Sequence, residues 1–218
     1  MTLDDLVIIR AAAFLVMLTP CLIGIINWRS LAPALKFFTL LLVYVEIYDA
    51  LTFTLFKVGI NPNITASICM LIDSLLVCYF YYLISDKRVI RILPIAAILI
   101  SLFSVANLFF IQKENPNYYS VVVYLVSTLA LALRYIYSHL ASPPKKGLIS
   151  FPLFWINSGF IIQASGTLSL FIISDYLVNV MNNDMIAFSS LIYINQILVG
   201  LFFIYALWLE VKTSSIQA

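Results

Sequence analysis

Charged residues are scarce in this chain. Asp, Glu, Lys and Arg make up only 10% of its 218 residues, whereas about a quarter of the residues are charged in a soluble domain. Hydrophobic residues make up 63%, so the composition excludes a soluble globular protein and predicts an integral membrane protein in contact with the lipid bilayer. The net charge is only +2, and there is no basic run interleaved with aromatic residues, so we expect no nucleic-acid partner.

Histidine is nearly absent, and its scarcity excludes several kinds of site. The one histidine, His139, falls in a predicted loop, so no helix carries the paired histidines of a zinc protease or of a haem site. The chain also has no glycine-rich phosphate loop and no Gly-x-Ser-x-Gly motif. Ser74 follows Asp73, but no histidine is present to activate it. We expect no metal and no cofactor, and an intramembrane enzyme is a less favoured interpretation.

Cysteine is also rare, and its positions exclude a disulfide framework. Cys21, Cys69 and Cys78 are odd in number and all lie in apolar runs, where cysteine behaves as a small hydrophobic residue. The chain opens with Met-Thr-Leu-Asp-Asp, which is acidic where a signal peptide is positively charged. We therefore expect the first apolar segment to be a retained helix.

Apolar runs of membrane-spanning length fill most of the chain. About 20 apolar residues are needed to cross roughly 30 Å of hydrocarbon. The predicted spans cover residues 6–27, 34–57, 64–84, 92–112, 118–138, 151–175 and 185–209. The sequence therefore predicts an all-α, seven-helix transmembrane bundle that forms a single domain over residues 1–218. The connections are short, so consecutive helices should be antiparallel neighbours.

The distribution of basic residues predicts the orientation of this bundle. Most of the 12 Lys and Arg residues lie at one set of helix ends, and only Arg10, Lys57 and Lys113 lie at the other. Because basic residues concentrate in cytoplasmic loops, the amino terminus is predicted outside and the carboxyl terminus in the cytoplasm. The basic loop residues Lys145 and Lys146 are read first as orientation signals, and a docking site for an intracellular partner is the alternative.

The sixth apolar run, Phe151–Phe171, carries several small and polar residues. Ser158 and Ser165 are seven residues apart, as are Gly159 and Gly166, so on a helix they repeat along one face. Small residues let membrane helices approach closely. The pattern therefore favours a tight helix interface, and a ligand pocket lined by Asn157 and Gln163 is the alternative.

Three carboxylates lie near the middle of predicted spans: Glu46 and Asp49 in the second and Asp73 in the third. An acidic residue at a helix centre costs about 2.5–3.5 kcal/mol on insertion scales. The spacing of three places Glu46 and Asp49 on one helical face, and Asp73 can share their depth. We therefore expect a carboxylate cluster that faces the bundle interior, with at least one member neutral near pH 7.

Polar residues on other helices are the candidate partners of this cluster. Asn157, Asn195 and Gln196 can accept a hydrogen bond from a protonated acid, and Arg10 is the best-placed ionic partner. An ionisable residue inside a membrane is a functional candidate by default. The cluster could serve as a proton relay, a cation site or the polar floor of a ligand pocket, and a structural hydrogen-bond network is the alternative.

Several motifs resemble those of one group of proteins. The sixth run contains Phe-Trp-Ile-Asn-Ser-Gly at residues 154–159 and Ser-Gly-Thr-Leu at 165–168, the third closes with Tyr81-Tyr82, and the last ends with Leu-Trp-Leu at 207–209. With the acidic second helix, these motifs resemble small bacterial seven-helix membrane proteins of unknown function. Related helices form the sensory input half of histidine kinases. The resemblance implies location in a bacterial cytoplasmic membrane and a cytoplasmic or membrane signalling partner.

The sequence therefore favours a non-enzymatic sensory or ligand-binding module. A change of protonation or of ligand at Glu46, Asp49 and Asp73 would shift the sixth helix along its small residues. A proton-coupled transporter of a small solute is the alternative. An intramembrane enzyme and an assembly factor are less favoured.

Overall fold

The computed structural model of the chain describes residues 3–59, 63–111, 118–141, 147–179 and 185–217. Within these ranges, seven α-helices follow one another along the chain. They are α1 (Leu3–Ile26), α2 (Pro33–Lys57), α3 (Asn63–Ile84), α4 (Lys87–Ala106), α5 (Tyr118–Ala141), α6 (Pro152–Asn179) and α7 (Met185–Gln217). A π-helical segment, Asn107–Ile111, continues α4, and a 3-10 turn, Leu148–Ser150, precedes α6. The predicted all-α fold is confirmed for the described residues.

The fourth helix differs from its predicted span. It begins at Lys87 and not at residue 92, because Asp86 caps it with an extended backbone and its carbonyl accepts a hydrogen bond from the Ile90 amide at 3.0 Å. Lysine and arginine are good helix formers, so this basic segment extends the helix. Similarly, α5 continues to Ala141, and His139 lies in its last turn and not in a loop.

The last helix is longer than predicted, since α7 continues past residue 209 to Gln217. The extension carries Lys212, beyond the predicted end of the seventh span. Two hydrogen bonds tie the extension to the turn after α1: the Ala32 amide donates to Glu210 Oε1 at 3.2 Å, and Ser214 Oγ donates to the Ser30 carbonyl at 3.2 Å. These contacts explain why the helix does not end at the last apolar residue.

Six of the helices are long and apolar enough to cross a membrane: α1 to α5 and α7. This result is compatible with an integral, multi-pass membrane protein. The sixth helix is 28 residues long and carries polar side chains such as Asn157 and Gln163, and it is not among these six in the part of the chain that the structure describes. A seventh membrane crossing by α6 therefore stays a prediction, as does the orientation of the two termini.

The chain divides into two compact units. The first unit comprises Met1–Ala32 and Thr128–Ala218, and the second comprises Pro33–Ser127. The boundary at residue 128 falls inside α5, so this helix contributes its two ends to different units. The single-domain interpretation stays a prediction.

In the first unit, α7 packs against both α6 and α1. The α6–α7 contact confirms one predicted pair of sequential neighbours, while α1 packs against a helix from the far end of the chain. Glycines bring these helices close together. A Cβ atom on Gly200 of α7 would lie 2.7 Å from Cγ1 of Val16 in α1, a distance that real Cβ contacts do not reach.

In the second unit, α3 packs against both α2 and α4, so these sequential helices are neighbours as predicted. Phe38 of α2 and Phe80 of α3 are fully buried, and their ring centroids are 5.6 Å apart. The Tyr44 hydroxyl of α2 donates a hydrogen bond of 2.7 Å to the Cys69 carbonyl of α3. Apolar packing and one polar tie therefore fix α2 against α3, the two helices that carry the acidic residues.

Candidate functional site

The three acidic residues of the predicted cluster lie in the second unit. Glu46 on α2 is only 7% exposed, and Asp49 and Asp73 are partly buried. Asp49 lies within electrostatic range of both Glu46 and Asp73. Asp49 is therefore the central member of the group, which we call the carboxylate cluster.

Two oxygen atoms of the carboxylate cluster are buried without a hydrogen-bond donor. Glu46 Oε2 and Asp73 Oδ1 are buried, and no described residue donates a hydrogen bond to either atom. Asp73 does accept a hydrogen bond from Tyr124 of α5. Leaving a buried acceptor unsatisfied costs about 1–3 kcal/mol, and more when the group is charged. A proton that neutralises the carboxyl group, or a further donor, would lower that cost.

Tyrosines surround the carboxylate cluster. Tyr48 is within electrostatic range of Asp49 and Asp73, and Tyr44 is within range of Asp73. Sequence reasoning did not identify them, although Tyr44 and Tyr48 are four residues apart and so lie on one face of α2. Tyr124 carries no such signal, because it lies far along the chain and reaches Asp73 only through the packing of α5.

A cation site is one of the alternatives for the carboxylate cluster. Among the residues that the structure describes, no group of three or more His, Cys, Asp or Glu side chains is placed to hold a metal ion. The three described cysteines, Cys21, Cys69 and Cys78, are free thiols. A proton, in contrast, needs no set of converging ligands.

In the first unit, the small residues of α6 face α7. A Cβ atom on Gly159 would lie 2.6 Å from Cε1 of Phe203, and one on Gly166 would lie 2.6 Å from Oδ1 of Asn195. The predicted tight helix interface is therefore present. Ser165 is exposed and donates to the Ile161 carbonyl of its own helix at 2.6 Å, so it does not take part in the close approach.

The polar residues of α6 and α7 contribute to this interface in different ways. Asn157 is fully buried, and its amide donates to the Leu153 carbonyl one turn earlier at 2.7 Å. Asn195 of α7 donates to the main-chain carbonyl of Gln163 at 3.4 Å and to Thr167 Oγ1 at 3.5 Å. The Asn195 contacts connect α7 to α6, whereas the Asn157 bond stays within α6. A ligand pocket lined by Asn157 and Gln163 stays a prediction.

Arg10 and Gln196 complete the predicted set of candidates. The Arg10 guanidinium carbon lies 5.7 Å from the centroid of the Tyr193 ring, so α1 and α7 are linked by a cation–π contact. Gln196 is partly buried in α7. The structure thus brings Glu46, Asp49 and Asp73 together in one unit. The polar residues of α1, α6 and α7 belong to the other unit, and their predicted contacts with the cluster stay predictions.

No protein-family profile, curated protein or solved structure matches the chain.

Proposed function

We propose that this protein is a membrane-embedded, non-enzymatic sensory or ligand-binding module, with the carboxylate cluster as its proton-binding site. One observation carries the proposal: the Glu46 carboxylate is buried on α2, and its Oε2 atom receives no hydrogen bond from the described residues. Natural proteins rarely keep such a group in a core without a purpose. A bound proton turns the carboxylate into a neutral group and lowers its burial cost.

Loss of that proton provides the signal. An ionised Glu46 beside Asp49 would place two like charges in a poorly solvated region, and the ion would need new donors or water. Repacking of α2 against its neighbours supplies them. The protonated and ionised forms thus favour two different packings, and this differential stability is what a two-state sensor requires.

Output from the module passes to a partner protein. The resemblance to sensory halves of histidine kinases supports a signalling partner in the membrane or the cytoplasm. The basic residues Lys145 and Lys146 are the candidate docking site, and they lie outside the described residues. Loss of partner binding in a Lys145→Ala, Lys146→Ala variant, with proton binding unchanged, is the expected behaviour of separate input and output sites.

Infrared difference spectroscopy on the reconstituted protein tests the proton site directly. A step between about pH 5 and pH 8, a range that spans buried carboxyl titration, should change a carboxyl C=O stretching band. The band should disappear in Glu46→Gln and persist in Glu210→Gln, a matched control whose carboxylate accepts a hydrogen bond from the Ala32 amide. A carboxyl band that is the same in wild type, Glu46→Gln and Asp73→Asn would overturn the proposal.

Proton-coupled transport of a small solute is the second candidate, because the same buried carboxylates suit a proton carrier. Vesicles that contain the protein and a pH-sensitive dye separate the two functions. A sensor leaves an imposed proton gradient intact with or without added solutes. Dissipation of the gradient by wild type, abolished by Asp73→Asn, would instead establish transport.

A further inference from the structure

A cleft in the second unit is separate from the carboxylate cluster. It has a volume of about 540 Å³, which is within the range of small-molecule sites. Its lining comes from the start of α3 and from the end of α4 with the π-helical segment: Ile64, Ser67, Ile68, Leu71, Ser104, Val105, Leu108 and Phe109. All but the two serines are apolar.

The cleft lies beside the ends of two apolar spans. Two of its lining residues, Ile64 and Phe109, lie where the apolar spans Ser67–Ile84 and Val89–Ile111 reach their ends. From Ile64 to Leu71 the wall of α3 rises about 10 Å at 1.5 Å per residue. In a membrane, the Ile64 end of this wall would therefore lie nearer the lipid headgroups than the Leu71 end.

The wall of the cleft at the end of α4 includes the π-helical segment. An α-helix changes to a π-helix at Asn107, and such segments frequently mark functional sites. Asn107 is fully buried, and its amide donates to Ser120 Oγ of α5 at 3.2 Å, which holds the π turn in place. Leu108 and Phe109 of that turn then face the cleft, so its wall is fixed by a neighbouring helix.

The rim and the base of the cleft differ in chemistry. Ile64, Ile68 and Phe109 at the rim are exposed, and in a membrane they face hydrocarbon. Ser67 and Ser104 line the cleft while only 6% and 5% exposed. We infer that this cleft binds one acyl chain of a phospholipid from the adjoining leaflet, with the headgroup at the Ile64 end.

Native mass spectrometry of the delipidated, detergent-solubilised protein tests this inference. The probe is phosphatidylglycerol with two palmitoyl chains, compared with the same headgroup on two hexanoyl chains. Wild type should bind one palmitoyl lipid and bind the hexanoyl lipid at least about tenfold more weakly, a difference of one decade in Kd. Equal binding of the two lipids, or no lipid bound, would contradict an acyl-chain site.

Two variants localise the bound lipid. Ser104→Leu fills the cleft and should weaken palmitoyl-lipid binding about tenfold. Ser101→Leu is the matched control, because the Ser101 hydroxyl donates to Ala97 at 2.8 Å and does not line the cleft. If Ser104→Leu fails to fold, Val105→Trp obstructs the cleft from its partly exposed rim. Binding that is equal in the control and in every folded cleft variant would overturn the assignment.

Discussion

The contact between Gly166 and Asn195 shows how a single side chain can set the distance between two helices. Asn195 occupies the space where a Cβ atom at position 166 would lie, and it donates to the Gln163 carbonyl and to Thr167 Oγ1. The Asn195 amide can therefore take this position only because residue 166 is a glycine. Any larger residue at position 166 must displace the amide from both acceptors.

Gly166→Ala should accordingly destabilise the protein by about 1–3 kcal/mol, the usual cost of overpacking a close contact. The added methyl group would lie 2.6 Å from Asn195 Oδ1 and would displace the Asn195 amide from its acceptors. The free energy of unfolding in detergent measures the effect. Ser165→Ala is the control, because Ser165 is exposed and bonds only within its own helix, and it should change stability by less than about 0.5 kcal/mol.

Sequence reasoning could predict which acidic residues form the carboxylate cluster, but it could not predict which side chains of other helices contact them. Glu46 and Asp49 are three apart on one helix, so helical periodicity alone places them together. Asp73 joins them because α2 and α3 are consecutive helices joined by a short connection. Tyr124 is on α5, and no local spacing relates it to Asp73. Contacts of this kind depend on helix rotation and depth, which a single sequence does not specify.

The tie between α2 and α3 illustrates how polar contacts position the elements that carry the cluster. Tyr44 Oη donates to the Cys69 carbonyl, which already belongs to the backbone of α3. The bond fixes the rotation of α2 and therefore the direction in which Glu46, two residues later, is presented. This hydrogen bond is partly buried, and a typical intramolecular hydrogen bond contributes about 0.5–1.5 kcal/mol.

Tyr44→Phe should therefore lower stability by about 0.5–1.5 kcal/mol and should alter the infrared carboxyl band of the cluster. Chemical unfolding and the difference spectrum report the two effects. Tyr79→Phe is a suitable comparison, since Tyr79 also lies between these helices and its ring contacts Phe37 at 4.8 Å, but it is exposed. An equal response of the two variants would show that Tyr44 has no positioning role.

Helix positions could largely be predicted from the length of apolar runs, whereas the helix ends could not. Hydropathy reports where a helix lies in hydrocarbon, and it becomes uninformative once the helix continues into water. Lys87 begins α4 outside the apolar run, and α7 extends to Gln217 because Glu210 and Ser214 bond to the turn after α1. The π-helical turn at Asn107 depends on Ser120, a long-range partner that periodicity does not reveal.

The number of membrane crossings determines whether the two termini lie on the same side of the membrane or on opposite sides. If α6 crosses with the other six helices, the amino and carboxyl termini lie on opposite sides, but with six crossings they lie on the same side. The basic residues predict the carboxyl terminus in the cytoplasm. We expect seven crossings, because α6 is 28 residues long, which is more than the 20 needed to span the hydrocarbon.

Reporter fusions at each terminus test whether the number of membrane crossings is odd or even. A cytoplasm-dependent fluorescent protein should be active at the carboxyl terminus, and a phosphatase that requires export should be active at the amino terminus. Each reporter moved to the opposite terminus is the control and should be inactive. Activity of one reporter at both ends would establish an even number of crossings.

The proposed function requires that the Glu46 carboxylate is retained for its proton and not for its contribution to stability. In a sensor, the two packings of the protein must be close in free energy so that one proton can shift the equilibrium between them. The residue that gains or loses this proton therefore need not stabilise the fold. In a scaffold, the same residue would anchor neighbouring groups. Removing a partner from a buried ionic scaffold costs about 3–5 kcal/mol.

The stability of Glu46→Gln at pH 7 distinguishes these roles most directly. Glutamine has the shape of a protonated glutamic acid, so the variant should be as stable as wild type, within about 1 kcal/mol, or more stable. Chemical unfolding in detergent, with the infrared carboxyl band recorded on the same samples, gives the comparison. The proposed function predicts unchanged or higher stability together with loss of the band. A loss of about 3 kcal/mol or more with the band retained would show that Glu46 is structural and would contradict the proposed proton site.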